Sequence, residues 1–323
     1  FMFGGSSMVT VVTAIGYVVA MRSYDLLAGR FPDMRGLPHV DLGVRATPVE
    51  GIRLGGLEIQ VKREDRCCER YGGNKARCLE FLLARPADRL LTFSTLSANH
   101  AYAVAVHGNA LGLKTDAILV RKGQRGPMLK ALHGVAAGVA EVDGVAGAML
   151  AAASLWRRGT RIIPPGGVSA RGALGYLCAA LELETVPERI YVPVGSGTTV
   201  SGLLAGLMLR GARTEIVGVR VADRIAGVRA LLWHRARGAL RLLRRHGAKL
   251  PRLGRSEVRL RVVAAEGEYG EETTAAREAV DAAAAAGLAL ETTYTGKALA
   301  VLLREQARGA MFLDTYGGLP PAG

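Results

Sequence analysis

The chain is short of aromatic residues, of lysine, of cysteine and of long apolar runs, and each shortage removes a class of protein. Phenylalanine, tryptophan and tyrosine make up 5% of the 323 residues. A nucleic-acid reader concentrates charge in one stripe or arm and often stacks bases on aromatic side chains. Here a net charge of +14 is spread over scattered arginines, so no nucleic-acid partner is expected. A solvated, arginine-rich surface accounts for the charge without one. Lysine occurs only at 62, 75, 114, 122, 130, 249 and 297. The four cysteines, at 67, 68, 78 and 178, include one adjacent pair and show no metal-ligand spacing with histidine. Neither a metal site nor a disulfide framework is expected, and a reducing cytoplasm is the simpler compartment. The apolar run at residues 8–21 is shorter than the roughly 20 residues that span a bilayer. It also lacks the leading charge and small-residue cleavage site of a signal peptide. Residues 1–20 are expected to be an extension outside the fold, with a natural start near Met21; a membrane tether is the other reading, and no membrane partner is expected.

Half of the residues are apolar, enough for a substantial core, and the length suits two domains or one large one. From Leu57 onward, short β-branched runs alternate with alanine- and leucine-rich segments. Strands are expected at 57–63, 90–94, 116–120, 161–164, 190–194, 215–221, 259–263 and 311–314. Helices are expected at 75–85, 99–111, 127–137, 145–157, 170–183, 199–210, 224–246, 272–286 and 296–308. Such alternation implies βαβ units and parallel sheets, in which ligands gather where strands end and helices begin.

Four of those loops carry unusual chemistry. In YGGNKARCLEFLL (71–83) two glycines and an asparagine precede Lys75 at a helix start. The positive end of the helix dipole disfavours a second positive charge and eases the neutral amine that a nucleophilic lysine requires. Taken alone, a GGNK turn is more often a plain helix entry. VGSGTTVSGL (194–203) follows the apolar run IYVPV, and its glycines and helix start suit a phosphate dianion. It matches neither a Walker loop nor a dinucleotide fingerprint, and a structural turn is the competing reading. TLSANHAYAV (95–104) sets Asn99 and His100 at a helix start facing a cleft, though His100 is as readily a satisfied core or capping histidine. The last group is GEYGEE (267–272), TTYTGKALA (292–300) and FLDTYGG (312–318), whose tyrosines are singly no more than packing.

The order of these pieces resembles one family. VKRED (61–65), YGGNKARCLEFLL, SANHA (97–101), PPGGVSARGALGY (164–176), VGSGTTVSGLLAGL (194–207), YTGKALA (294–300) and FLDTYGG together resemble the pyridoxal-phosphate enzymes that include D-cysteine desulfhydrase and 1-aminocyclopropane-1-carboxylate deaminase. That group has the tryptophan-synthase β-like fold (fold type II), and the resemblance runs from about Thr47 to the end. It implies an α/β protein of two open, twisted parallel-sheet domains with the cofactor in the cleft between them. The smaller domain would be residues 85–180, the larger residues 21–84 with 181–323, and the protein a homodimer. By the same resemblance Lys75 carries pyridoxal 5′-phosphate, with Asn74 beside it. Asn99 meets the cofactor's phenolic oxygen, and Gly195, Ser196, Gly197, Thr198 and Thr199 hold its phosphate. Thr315 lies at the pyridine nitrogen. Ser97, Ala98, Asn99, His100, Tyr269 and Tyr294 border the substrate, with Lys75, Tyr294, Tyr269 and His100 as the catalytic set.

Three positions depart from the family pattern. Ala98 stands where most members have serine, with Ser97 one place earlier. Thr198 stands where a further glycine is usual, which implies a tighter cup or an added hydroxyl donor. The chain also stops sooner after FLDTYGG than the pattern leads one to expect. The deaminase branch carries glutamate directly after the tyrosine of YxGK, whereas this chain has Thr295. That favours β-elimination from a small amino acid, as in D-cysteine to pyruvate, sulfide and ammonia, with Lys75 as general base. Ring-opening deamination of the cyclopropane acid is the runner-up, and a serine or threonine deaminase or a racemase follows. The non-enzyme reading is a basic nucleic-acid-binding module, for which salt-sensitive polynucleotide affinity would be diagnostic.

Overall fold

The computed structural model describes residues 21–34, 36–221, 228–251 and 257–318. Helix α1 (Ser23–Arg30) precedes a hairpin of β1 (Val49–Leu54) and β2 (Leu57–Lys62), then α2 (Asn74–Leu82). Next come β3 (Arg89–Thr95), α3 (Asn99–Asn109), β4 (Lys114–Val120), α4 (Met128–Val135), β5 (Gly138–Val142), α5 (Gly144–Leu155) and β6 (Thr160–Ile163). The chain continues through α6 (Leu174–Leu181), β7 (Arg189–Val194), α7 (Thr198–Leu209), β8 (Thr214–Arg220), α8 (Arg229–Arg245) and β9 (Val258–Ala264). It closes with α9 (Thr274–Ala285), α10 (Thr295–Arg304) and β10 (Met311–Leu313).

Two sheets result. The four-stranded one runs β5-β4-β3-β6 and is parallel throughout. The six-stranded one runs β1-β2-β10-β7-β8-β9 and is parallel except where β1 meets β2. The α/β class and the parallel sheets are as expected. The antiparallel β1 edge is not, and neither are α1 and β5. VEGIRL (β1) interrupts its apolar positions with Gly51 and Arg53 and is half solvated, while β5 is a short, half-buried edge strand. By contrast β7, inside the large sheet, is buried from Ile190 to Val194, as a central parallel strand covered on both faces should be. The apolar run at 8–21 lies outside the described residues apart from Met21, as does the 224–227 part of the helix expected at 224–246. Among the described residues no helix is long and apolar enough to cross a membrane.

Helix α2 matters most for function, and its underside is ionic. Arg77, fully buried, pairs with Glu64 and with Glu182 at 2.6 Å. Lys62, also buried, reaches Glu182 at 2.6 Å and the Thr47 hydroxyl at 2.6 Å. Ser23 joins from α1, donating to Glu182 at 2.5 Å. The cluster therefore ties α1, β2, α2 and the end of α6 at one point. Each charge has a partner of opposite sign, the condition under which buried ions are tolerated. The Arg77 and Lys62 charges hold the Glu64 carboxyl down at about 2 against the burial that would raise it.

Candidate active site

The loops after β3, β4, β7 and β10 and the start of α2 converge on one cavity of about 410 Å³, within the usual range for a small-molecule site. Its position outside the carboxyl ends of parallel strands is the one such sheets provide.

Lys75 sits in the first turn of α2. The turn that delivers it is wedged against the far end of the chain: Gly73 has φ +76°, and a Cβ there would lie 2.6 Å from the Thr315 carbonyl oxygen. The Asn74 N–H donates to that same carbonyl at 3.2 Å. Only glycine combines this conformation with this approach, so the turn fixes Lys75 relative to Thr315 across the cavity. The Lys75 amine donates to Asn74 Oδ1 at 3.1 Å, and no carboxylate pairs with it among the described residues. Burial accordingly lowers its pKa below the ordinary lysine value, favouring the neutral amine. Asn74 uses its other end on Thr199, Nδ2 donating to Oγ1 at 3.2 Å. One asparagine thus spans from the amine to the loop at 195–199.

That loop links β7 to α7, with Gly197 at φ +82° as the residue before the helix. It lies flat against Tyr294: a Cβ on Gly195 would come within 2.9 Å of the ring. Gly195, Ser196, Gly197 and Thr199 line the cavity, whereas Thr198 does not. The Thr198 hydroxyl donates to the Gly166 carbonyl at 3.0 Å, as does Ser196 Oγ at 3.1 Å. Of the two expectations for Thr198, a tighter cup or an added hydroxyl donor, the second is not met: the hydroxyl is spent behind the loop.

Asn99 and His100 open α3 and both line the cavity. His100 Nε2 lies 3.0 Å from the Pro164 carbonyl. A carbonyl only accepts, so Nε2 carries the proton and Nδ1 is left as an acceptor. Burial, with Lys75 nearby, pushes the imidazole down to about 3. Ala98 corrects the expectation placed on it. It is fully buried at φ +59° and contributes nothing to the cavity wall; its left-handed backbone turns the chain into α3, and Ser97 takes the cavity position.

Four hydroxyls meet beside it. Tyr269 OH lies 2.8 Å from Thr95 Oγ1, 3.2 Å from Ser97 Oγ and 2.9 Å from Tyr294 OH, with Thr95 and Ser97 3.0 Å apart. Burial and the neighbouring Tyr269 hold the Tyr294 phenol well above the ordinary tyrosine value, so it stays protonated. Thr95 escaped the sequence reading because its partner is 174 residues away. Glu291 escaped it as well. It lines the cavity, yet its carboxylate accepts from the backbone N–H groups of Thr293, Tyr294 and Thr295, each at 2.8 Å, so it serves as the cap that sets Tyr294 at the start of α10. The Thr295 hydroxyl is bound to Glu291 too. Thr315 lines the cavity as well.

The chemistry of the donor set suits a phosphorylated pyridine aldehyde. It offers a desolvated amine that no carboxylate among the described residues pairs with, a glycine loop at a helix start for the phosphate, a side-chain amide at Asn99 and a hydroxyl at Thr315.

Comparison with known proteins agrees with this. The sequence model described as "Pyridoxal-phosphate dependent enzyme" matches residues 40–311. D-cysteine desulfhydrase of Salmonella paratyphi A is 31% identical over 296 residues, covering 82% of this chain and 88% of that enzyme. Nocardicin C-9′ epimerase of Nocardia uniformis subsp. tsuyamanensis is 31% identical over 235 residues, covering 65% and 71%. The solved structure of an "ACC deaminase homologue" superposes with a TM-score of 0.72 at 28% identity, over 93% of this chain and 95% of that one.

Proposed function

Since the chain belongs to the pyridoxal-phosphate dependent enzymes, we propose that it is a lyase for a small amino acid, with α,β-elimination of the D-cysteine desulfhydrase kind as its favoured reaction. The observation that carries this reading is the Lys75 amine: buried, held by Asn74 and lacking a carboxylate partner among the described residues. When bound, pyridoxal phosphate supplies an aldehyde for the substrate amine and a ring that accepts the electron pair left at Cα. In this reading Asn74, Asn99 and Thr315 orient that ring, and the backbone from Gly195 to Thr199 holds its phosphate. Lys75, favoured in its neutral form by burial, would move the proton at Cα. Tyr294 keeps its proton at neutral pH and is the acid assigned to the departing group, with Tyr269 tied to Thr95 and Ser97 as its supply. His100 stays neutral and accepts a hydrogen bond from the substrate through Nδ1.

Elimination is favoured over ring opening because no free carboxylic acid follows Tyr294: Thr295 occupies the place and its hydroxyl is bound to Glu291. The same proposal includes a cytoplasmic homodimer, with the small parallel sheet in a domain of residues 85–180 and the large sheet in 21–84 with 181–323. The test is to incubate purified protein with D-cysteine and, separately, with 1-aminocyclopropane-1-carboxylate. Sulfide and pyruvate from the first are expected. 2-Oxobutanoate from the second alone would replace this reaction with the deaminase one, and keto acid from neither would end the lyase reading.

A further inference from the structure

Helix α8 lays an apolar stripe of Leu232, Ala236, Ala239, Leu240 and Leu243 into the same core cluster as Val200, Leu203, Leu204 and Leu207 of α7. Spacings of three and four residues put that stripe on one face, and the packing brings the flank of α8 to the start of α7. Arg235 lies on that flank. Its Nη1 donates to the carbonyl oxygen of Ser196 at 2.8 Å. Among the described residues no carboxylate pairs with Arg235, and burial lowers its pKa without an opposing acid. A half-buried guanidinium left without a counter-ion pays a desolvation cost that a nearby anion would offset.

The geometry of the peptide says where that anion belongs. In a trans peptide the C=O and the following N–H point in opposite directions. Drawing the Ser196 oxygen towards α8 turns the Gly197 N–H the other way, and Gly197 lines the cavity. The loop holds no cation of its own, and the hydroxyls of Ser196 and Thr198 are committed to Gly166. We propose that Arg235 is a positioning residue for the cofactor phosphate, fixing the peptide between Ser196 and Gly197 with its N–H turned into the cup and lending the cup a positive charge from behind. This rests on reading residues 195–199 as the phosphate site.

The test compares two aldehydes that differ only in the phosphate. Full-length protein resolved from its cofactor is titrated with pyridoxal phosphate and with pyridoxal, reading binding by absorbance, in the parent chain and in Arg235→Gln and Arg235→Lys. The parent should favour the phosphorylated form. Arg235→Gln should weaken pyridoxal phosphate about tenfold, the scale of one charge-assisted hydrogen bond, and leave pyridoxal unchanged. Arg235→Lys keeps the charge and should stay within about threefold of the parent for both. Equal losses for the two aldehydes in Arg235→Gln, or no loss at all, would overturn the proposal, because a merely structural role cannot tell them apart. A parent chain that binds both aldehydes equally would instead remove the phosphate site itself, while covalent attachment at Lys75 would still be measurable.

Discussion

Lys75 and Arg77 stand two residues apart on α2, Arg77 fully buried and Lys75 half-buried at the cavity, and their surroundings assign them opposite work. Arg77 faces Glu64 and Glu182, and those two carboxylates hold its pKa well above the ordinary value despite burial. Lys75 faces the cavity with a neutral amide for company, and burial pulls its pKa down. A buried cation that is paired keeps its charge and fastens elements together; an unpaired lysine amine taken out of water is driven towards its neutral, reactive form. The helix thus carries its anchor on one side and its nucleophile on the other.

Substitutions can break that contrast. Lys75→Met should abolish covalent cofactor attachment and lower turnover by about 10³-fold or more, with little loss of stability in urea, since the partner it releases is the Asn74 amide oxygen at the cavity wall. Arg77→Met should do the reverse. It leaves Lys62 as the one cation among the described residues for the buried Glu64 and Glu182 and should cost about 3–5 kcal/mol in the same urea titration, while any protein that remains folded still binds the cofactor.

Acid should sharpen the contrast. The folded pKa of Glu64 is depressed to about 2, so its stabilising contribution is present above an unfolded value near 4.5 and is lost as pH falls from there towards 2. His100 and His107, held down at about 3 and about 4 by burial, act earlier. The unfolded chain takes up their protons below about 6.5, so stability begins to fall there. Unfolding free energy measured from pH 7 to 5 should slope downward, and His100→Asn should flatten that slope by up to one proton's worth. Asp314 has the opposite sign. Desolvation and the nearby Asp65 raise its pKa to about 8, so the folded form holds a proton that the unfolded chain loses above about 4. Its contribution is fully present below about 4 and is lost as pH rises from there through 8, and Asp314→Asn should remove that loss.

The smallest effect expected is at the hydroxyl cluster. Thr95→Val removes one partner of Tyr269 and should lower kcat by about three- to tenfold with KM unchanged, the scale of one neutral hydrogen bond, and Thr95→Ser should restore it.

Much of this was legible in the sequence for a physical reason. β7, β8 and α7 are covered on both sides, so their apolar runs are continuous, and the loops between them carry the glycines and hydroxyls of a binding turn. Lys75, Asn99 and the loop at 195–199 therefore stood out by local pattern. β1 and β5 did not, because half-solvated edge strands need no apolar run. Thr95, Glu291 and Arg235 were invisible for another reason: each acquires its role from a partner placed by the fold, Tyr269, the start of α10 and Ser196 respectively. Ala98 and Thr198 were read from position in a motif, and backbone conformation and a carbonyl behind the loop decided them otherwise.

The claim that Lys75 at the cavity, and not the carboxylate-paired Lys62, is the reactive amine is tested most directly by borohydride reduction of the protein loaded with pyridoxal phosphate, followed by peptide mapping. A stable adduct on Lys75, with Lys62 and Lys297 unmodified, is the predicted result. A protein that binds the aldehyde with no adduct at position 75, or with the label on Lys62, would contradict the distinction between paired and unpaired cations on which the account stands.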